Sequence, residues 1–300
     1  MSCEEDLLKY FKQVKLNYHF DDNVSYGKIQ PITSKKDYSE NMKEMKYGDM
    51  IDEKLINQLS KGLRQKVDLS NFINCIYDQK NMDISISCCI AYCLTIRANY
   101  INNQRYRITK MIFGNKIIPI NPSILYLNWN AHIQDLTVKR TPLSIYSHLI
   151  SLQNHKIVDV SKYEDSPDKL ESKPDLNSFY YASKSPDVKW YKIRQDEITL
   201  KILLSDGHPI ICGIVVYKDM LSLIAYQFGI IKTPDYENES SCGCHVITII
   251  GYNDSKKIFY FVNSWSEKWG DKGIGEIGYD YVLNKGLCGD FAILDYSLMN

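Results

Sequence analysis

The sequence predicts an α+β fold, helical in its middle and β-rich in its carboxyl-terminal third, on three observations. In "CCIAYCLTIRANYI" the residues Ile90, Ala91, Leu94, Ile96, Ala98 and Ile101 recur at largely helical spacing with few charges. Two further stretches, "SILYLNWNAHI" after Pro122 and "TPLSIYSHLISLQ", carry the same texture. Four runs rich in β-branched and aromatic residues then follow, separated by turn residues: "HPIICGIVVY", "CHVITIIGYN", "KIFYFVNSW" and "GIGEIGYDYV".

In chain order, residues 1–66 are rich in Lys, Glu and Asp with weak periodicity, and we assign them as an amino-terminal extension, a pro-segment or an arm. Residues 67–175 are expected to form a mainly helical domain. Its central helix spans three turns or more, and Thr141 and Pro142 serve as cap and first-turn proline of a later one. Residues 156–188 are polar and punctuated by Pro167, Pro174 and Pro186, a loop-like connection. A β-rich domain over residues 176–300 takes in the alternating "VKWYKI", the helical "DEITLKILLSDG" and the four β runs, read as an antiparallel, barrel-like sheet.

Composition narrows the function. The chain has 300 residues, 44% of them hydrophobic, enough to bury a sizeable core. Lys plus Arg equals Asp plus Glu at 36 each, so no net field draws nucleic acid or an anionic membrane. No apolar run reaches the roughly 18 residues of a membrane span, and "MSCEEDLLKYFKQ", with its two early acids, is expected to carry no secretory signal. Nine cysteines, several side by side, suit reduced thiols better than a disulfide framework. The expectation is an intracellular or virion-packaged monomer without cofactor.

Among the six histidines, His19, His132, His148 and His155 lack a partner pattern, and His208 sits in a Gly-His-Pro turn where it caps the turn or faces solvent. His245 opens "VITIIGY" after a Gly243-containing bend, so a strand would mount its ring rigidly. Asn263 follows one strand and one turn later, where an antiparallel neighbour would lie, and its carbonyl can accept the imidazole N–H. The nucleophile candidates are the paired thiols Cys88 and Cys89 at the start of the long apolar helix.

These residues resemble the papain-like cysteine peptidases, of the C1 or cathepsin-like type. "GCHVITIIGY" and "NSWSEKWGDKG" look like that family's His and Asn blocks, and the likeness extends over about residues 67–296. It implies a two-domain papain-like fold with an active-site cleft between helical and β-rich parts, and hydrolysis of polypeptide substrates through a thioester. Cys89 is the implied nucleophile, since Ala91 and Tyr92 then fall on the family's Ala and aromatic positions. Trp265 is the implied shield of the His245–Asn263 contact. Gln79 resembles the oxyanion-hole glutamine, but lies ten residues before Cys89, four more than the family pattern, while a gapless count puts Asp83 there. Where secreted members carry a disulfide cysteine three residues before the nucleophile, this chain has Ile86.

Two other readings compete. Cys242, Cys244 and His245 form C-x-C-H and, with Cys88, Cys89 and Cys93, could make a zinc module. A catalytically impaired papain-like fold could instead serve protein binding.

Overall fold

The computed structural model describes residues 59–80, 82–109, 121–134, 144–236 and 238–296, so the reading of residues 1–58 lies outside the described residues. The helices and strands, in chain order, are β1 (Lys66–Asp68), α1 (Ser85–Thr109), α2 (Ile124–Gln134), α3 (Ile145–His155), α4 (Leu176–Ser183), β2 (Val188–Lys192), α5 (Glu197–Ser205), β3 (Ile210–Val216), α6 (Leu223–Phe228), β4 (Ile230–Ile231), β5 (Gly243–Asn253), β6 (Ile258–Val262), β7 (Ile274–Gly278), α7 (Tyr279–Val282) and β8 (Cys288–Tyr296).

The long apolar stretch forms α1, and Ser85 through Ile96 are buried around its whole circumference. A helix without a polar face must be covered all round. α1 packs on β3, β5 and β8 and also touches α2 and α3. Local polar chemistry sets the other helix starts. Ser144 caps α3 by accepting from the Ser147 N–H at 3.1 Å. The expected cap Thr141 and Pro142 lie outside the described residues. Asp175 caps α4, a helix inside the stretch expected to be loop, and Asp196 caps α5.

All strands join one sheet in the order β2-β8-β3-β5-β6-β7-β4, with β1 paired to β5. The pairings are antiparallel except β4 with β7. The sheet is open, with β2 and β4 at its two ends, which corrects the barrel-like expectation: no pairing joins those strands among the described residues. No helix among the described residues is long and apolar enough to cross a membrane. His208, expected to face solvent or cap a turn, is buried, with Nε2 3.1 Å from the Asp206 carboxylate.

Beyond Ile249, where β3 stops pairing, β1 takes over as partner of β5. Gly251 allows this approach: a Cβ there would stand 2.2 Å from the Val67 carbonyl oxygen and 3.0 Å from the Asp68 Cα. Both obstacles are backbone, so Gly251→Ala is expected to cost roughly 1–3 kcal/mol through overpacking. The loss should appear as a lower urea midpoint. Faster amide exchange at Leu69, whose N–H bonds the Ile250 carbonyl at 2.9 Å, would locate it at β1.

Candidate active site

β5 and β6 are antiparallel neighbours, and this hairpin brings the two ends of the motif together. His245 Nε2 lies 2.9 Å from Asn263 Oδ1, and both residues are buried. The same oxygen accepts the Ser264 backbone N–H at 2.8 Å. An N–H can only donate, so the atom facing it is the amide oxygen, and His245 must carry its proton on Nε2. In the neutral ring the lone pair then sits on Nδ1, which is buried and without a hydrogen-bond partner. Burial holds the His245 pKa down to about 4, against the opposing pull of Asn263, so the ring is neutral at pH 7. The site thus presents a free base on the side of the ring away from Asn263.

Trp265 stacks on this ring at 4.8 Å between centroids and 29° between planes, and is itself 3% exposed. Trp269 meets Trp265 edge-on at 5.8 Å and buries the far side.

Gln79 reaches the same corner from upstream. Residues 77–79 run antiparallel to residues 264–266, through Gln79 N–H to Ser264 O at 2.9 Å and Ser266 N–H to Tyr77 O at 3.1 Å. Its side-chain oxygen accepts from Ser264 Oγ at 2.5 Å, and its Nε2 donates to Met82 O at 3.3 Å. The carbonyl partner fixes the amide orientation and leaves one N–H of Nε2 uncommitted by these bonds. Asp83 is exposed, two residues ahead of α1.

Cys88 and Cys89 lie in the second turn of α1, not at its first residue. The Cys89 thiol donates to the Val246 carbonyl at 3.3 Å, its own carbonyl accepts from Thr248 Oγ1 at 3.5 Å, and the residue is 1% exposed. Burial pushes its pKa up to about 12, and that of Cys88 well above its ordinary value. These directions favour neutral thiols. They oppose a thiolate–imidazolium pair between Cys89 and His245.

The residue at the start of α1 is Ser85, which sequence reasoning passed over while looking for a thiol. The Cys88 N–H bonds the Ile84 carbonyl at 3.0 Å, so Ile84 is the cap and Ser85 the first helical residue. A signal was available: Ser85 follows Gln79 by six residues, which is the spacing that Cys89 exceeds by four.

Among the described residues Cys75, Cys88, Cys89, Cys93, Cys212, Cys244 and Cys288 are in no disulfide, and no group of three or more His, Cys, Asp or Glu side chains could hold a metal ion. Cys244 is exposed and His245 buried, on opposite faces of β5, so the C-x-C-H run does not converge.

Comparison with known proteins places these features. Residues 144–289 match the family described as papain family cysteine protease, a stretch that holds His245, Asn263 and Trp265 and begins after α1. The chain is 27% identical over 183 residues to an uncharacterized peptidase C1-like protein of Acanthamoeba polyphaga mimivirus, covering 58% of each. It is 31% identical over 86 residues to a cathepsin B-like cysteine proteinase of Schistosoma japonicum, covering 28% of this chain and 23% of that protein. The chain therefore spans less than two thirds of the length of either relative. Among solved structures, xylellain, a cysteine protease from Xylella fastidiosa, superposes with a TM-score of 0.68 at 21% identity over 80% of this chain and 89% of that one. Digestive procathepsin L 3 of Tenebrio molitor larval midgut superposes with a TM-score of 0.57 at 15% identity over 98% and 88%. These superpositions establish the fold.

Proposed function

We propose that the chain is a papain-family cysteine protease, a reading supported by the match of residues 144–289 and by the fold, and that it hydrolyses peptide bonds in polypeptide substrates. The observation that carries the reading is the buried His245–Asn263 bond at 2.9 Å, with the Nδ1 lone pair of His245 left free. In this reading His245 takes a proton from a nucleophile on α1 and returns it to the leaving amine. Asn263 holds the tautomer and aim of the ring without adding charge, and Trp265 keeps water from that bond. Gln79 offers its remaining N–H to the oxyanion that forms on the scissile carbonyl.

The test is incubation of the full chain with a diverse peptide mixture in water enriched in oxygen-18, followed by mass spectrometry. Hydrolysis is expected to give new amino and carboxyl termini, the latter carrying the heavy oxygen. Peptides that stay intact at enzyme concentrations in the micromolar range would reject the reading. Burial of both candidate thiols favours a second reading, a fold that holds peptides without cleaving them. Intact peptides that nevertheless co-migrate with the protein would support it.

A further inference from the structure

Resting on the hydrolase reading, the geometry points to the hydroxyl of Ser85, in place of the thiol of Cys89, as the nucleophile that faces His245. Three independent directions meet at Ser85. Around the helix axis, with about 100° per residue, Ser85 lies between Tyr92 and Cys89. The Tyr92 hydroxyl donates to the Asn263 carbonyl at 3.1 Å, and the Cys89 thiol donates to the Val246 carbonyl at 3.3 Å. The face of α1 between these contacts looks toward His245, which precedes Val246 in β5 and bonds Asn263.

Along the axis, Cys89 sits level with Val246 to Thr248. Ser85 is one turn, about 6 Å, nearer the amino terminus of α1. Four residues on, the Cys93 thiol donates to the Pro209 carbonyl at 3.7 Å, beside Ile210, which pairs with Ile249, so α1 and β5 run the same way and the turn before Cys89 lies at the level of His245. From the third direction, Gln79 is tied to Ser264 next to Asn263, and only six residues lead from it to Ser85. The same corner holds the buried, unpartnered Nδ1 of His245.

Position adds two further advantages. As the first residue of a helix of 25 residues, Ser85 has a backbone N–H without an intrahelical acceptor. That N–H and the free N–H of Gln79 make a pair of donors for one oxyanion. A hydroxyl cannot ionise ahead of the reaction as a thiol can, so its proton must leave during attack, and a neutral imidazole held near pKa 4 by burial is the form that can take it.

The steps balance. Ser85 Oγ bonds to the carbonyl carbon as its proton passes to His245 Nδ1 and the carbonyl electron pair moves onto oxygen. The oxyanion collapses, the C–N bond breaks, and the Nδ1 proton goes to the leaving amine. Water then adds to the ester, giving one proton to Nδ1, and the Oγ–C bond breaks with that proton returned to Oγ.

The experiment uses the full chain in five forms: unaltered, Ser85→Ala, Cys89→Ala, Ser85→Cys, and Ser85→Cys combined with His245→Ala. Peptide turnover is expected to fall about 1,000-fold in Ser85→Ala and less than about tenfold in Cys89→Ala. Independently of turnover, iodoacetamide at mildly acidic pH is expected to label position 85 of the Ser85→Cys protein at least about tenfold faster than Cys75, which is exposed, and His245→Ala should remove the advantage. Turnover that survives Ser85→Ala, or labelling of position 85 no faster than Cys75, overturns the assignment. Absence of turnover in the unaltered chain alongside fast, His245-dependent labelling rejects the hydrolase reading and supports Ser85 as the residue facing the base.

Discussion

Replacing His245 by alanine is expected to lower peptide turnover by about 1,000-fold or more while the protein stays folded, because general acid–base transfer contributes on the order of 100- to 10,000-fold. In the proposed cycle the ring moves a proton in every step, so no other group substitutes for it. The fold should tolerate the loss, since Asn263 Oδ1 keeps the Ser264 N–H at 2.8 Å. What is lost structurally is the contact with Trp265 and one buried hydrogen bond. A cost of roughly 1–3 kcal/mol follows from those. Circular dichroism melting should find a folded protein with a lower midpoint. Adding Ser85→Ala to His245→Ala should cost almost nothing more in rate, because groups that act as one unit are not additive. A further large drop in the double variant would mean that the two residues act separately.

Acid is expected to destabilise the protein well above the carboxylate range, through two histidines buried in the neutral form. His245 is held at about 4 and His148 at about 3, in each case first by burial. His148 is 3% exposed on α3, with Nδ1 3.2 Å from the Ser144 carbonyl. Both pKa values lie below that of the unfolded chain, about 6.5. Between about pH 6.5 and 4 the unfolded state therefore binds more protons, and stability rises with pH. This stabilisation is complete above about 6.5 and is lost as pH falls toward the folded values. Each histidine contributes a slope of about 1.4 kcal/mol per pH unit in that window. Between pH 7 and 5 the pair together costs about 4 kcal/mol, a large part of a typical stability of about 5–15 kcal/mol. Carboxyls that burial raises, such as Asp165 and Asp290, act in the opposite sense at lower pH, as the folded state then binds protons first. Urea midpoints at pH 7 and 5 measure the effect. His148→Gln, whose amide N–H can still reach the Ser144 carbonyl, should remove about half of the histidine slope, and an unchanged slope would rule out His148 as a source.

The α+β class and most elements were legible from periodicity. "CCIAYCLTIRANYI" lies wholly within α1, and the four β runs hold β3, β5, β6 and β7, although "YDYV" at the end of the last run forms the helix α7. What escaped was short or paired at long range. β1 has three residues, and only Gly251 lets it reach β5. β8 lies between β2 and β3 in the sheet, a place that no local pattern in "CGDFAILDY" specifies. The barrel-like expectation failed because alternation in a strand says which face is buried and nothing about whether the outer strands meet.

By itself the sequence determined the pairing of His245 with Asn263. His245 and Asn263 are joined by one hairpin, and antiparallel pairing converts their 18-residue separation into a 2.9 Å bond with little help from the rest of the chain. Only the tertiary structure separates Ser85 from Cys89, and in our proposal it is Ser85 that faces His245. Residues four apart on a helix share a face, so periodicity treats Ser85 and Cys89 alike. How far α1 slides along β5 is set by long-range packing, and that packing buries Cys89 against Val246 and leaves Ser85 at the helix start.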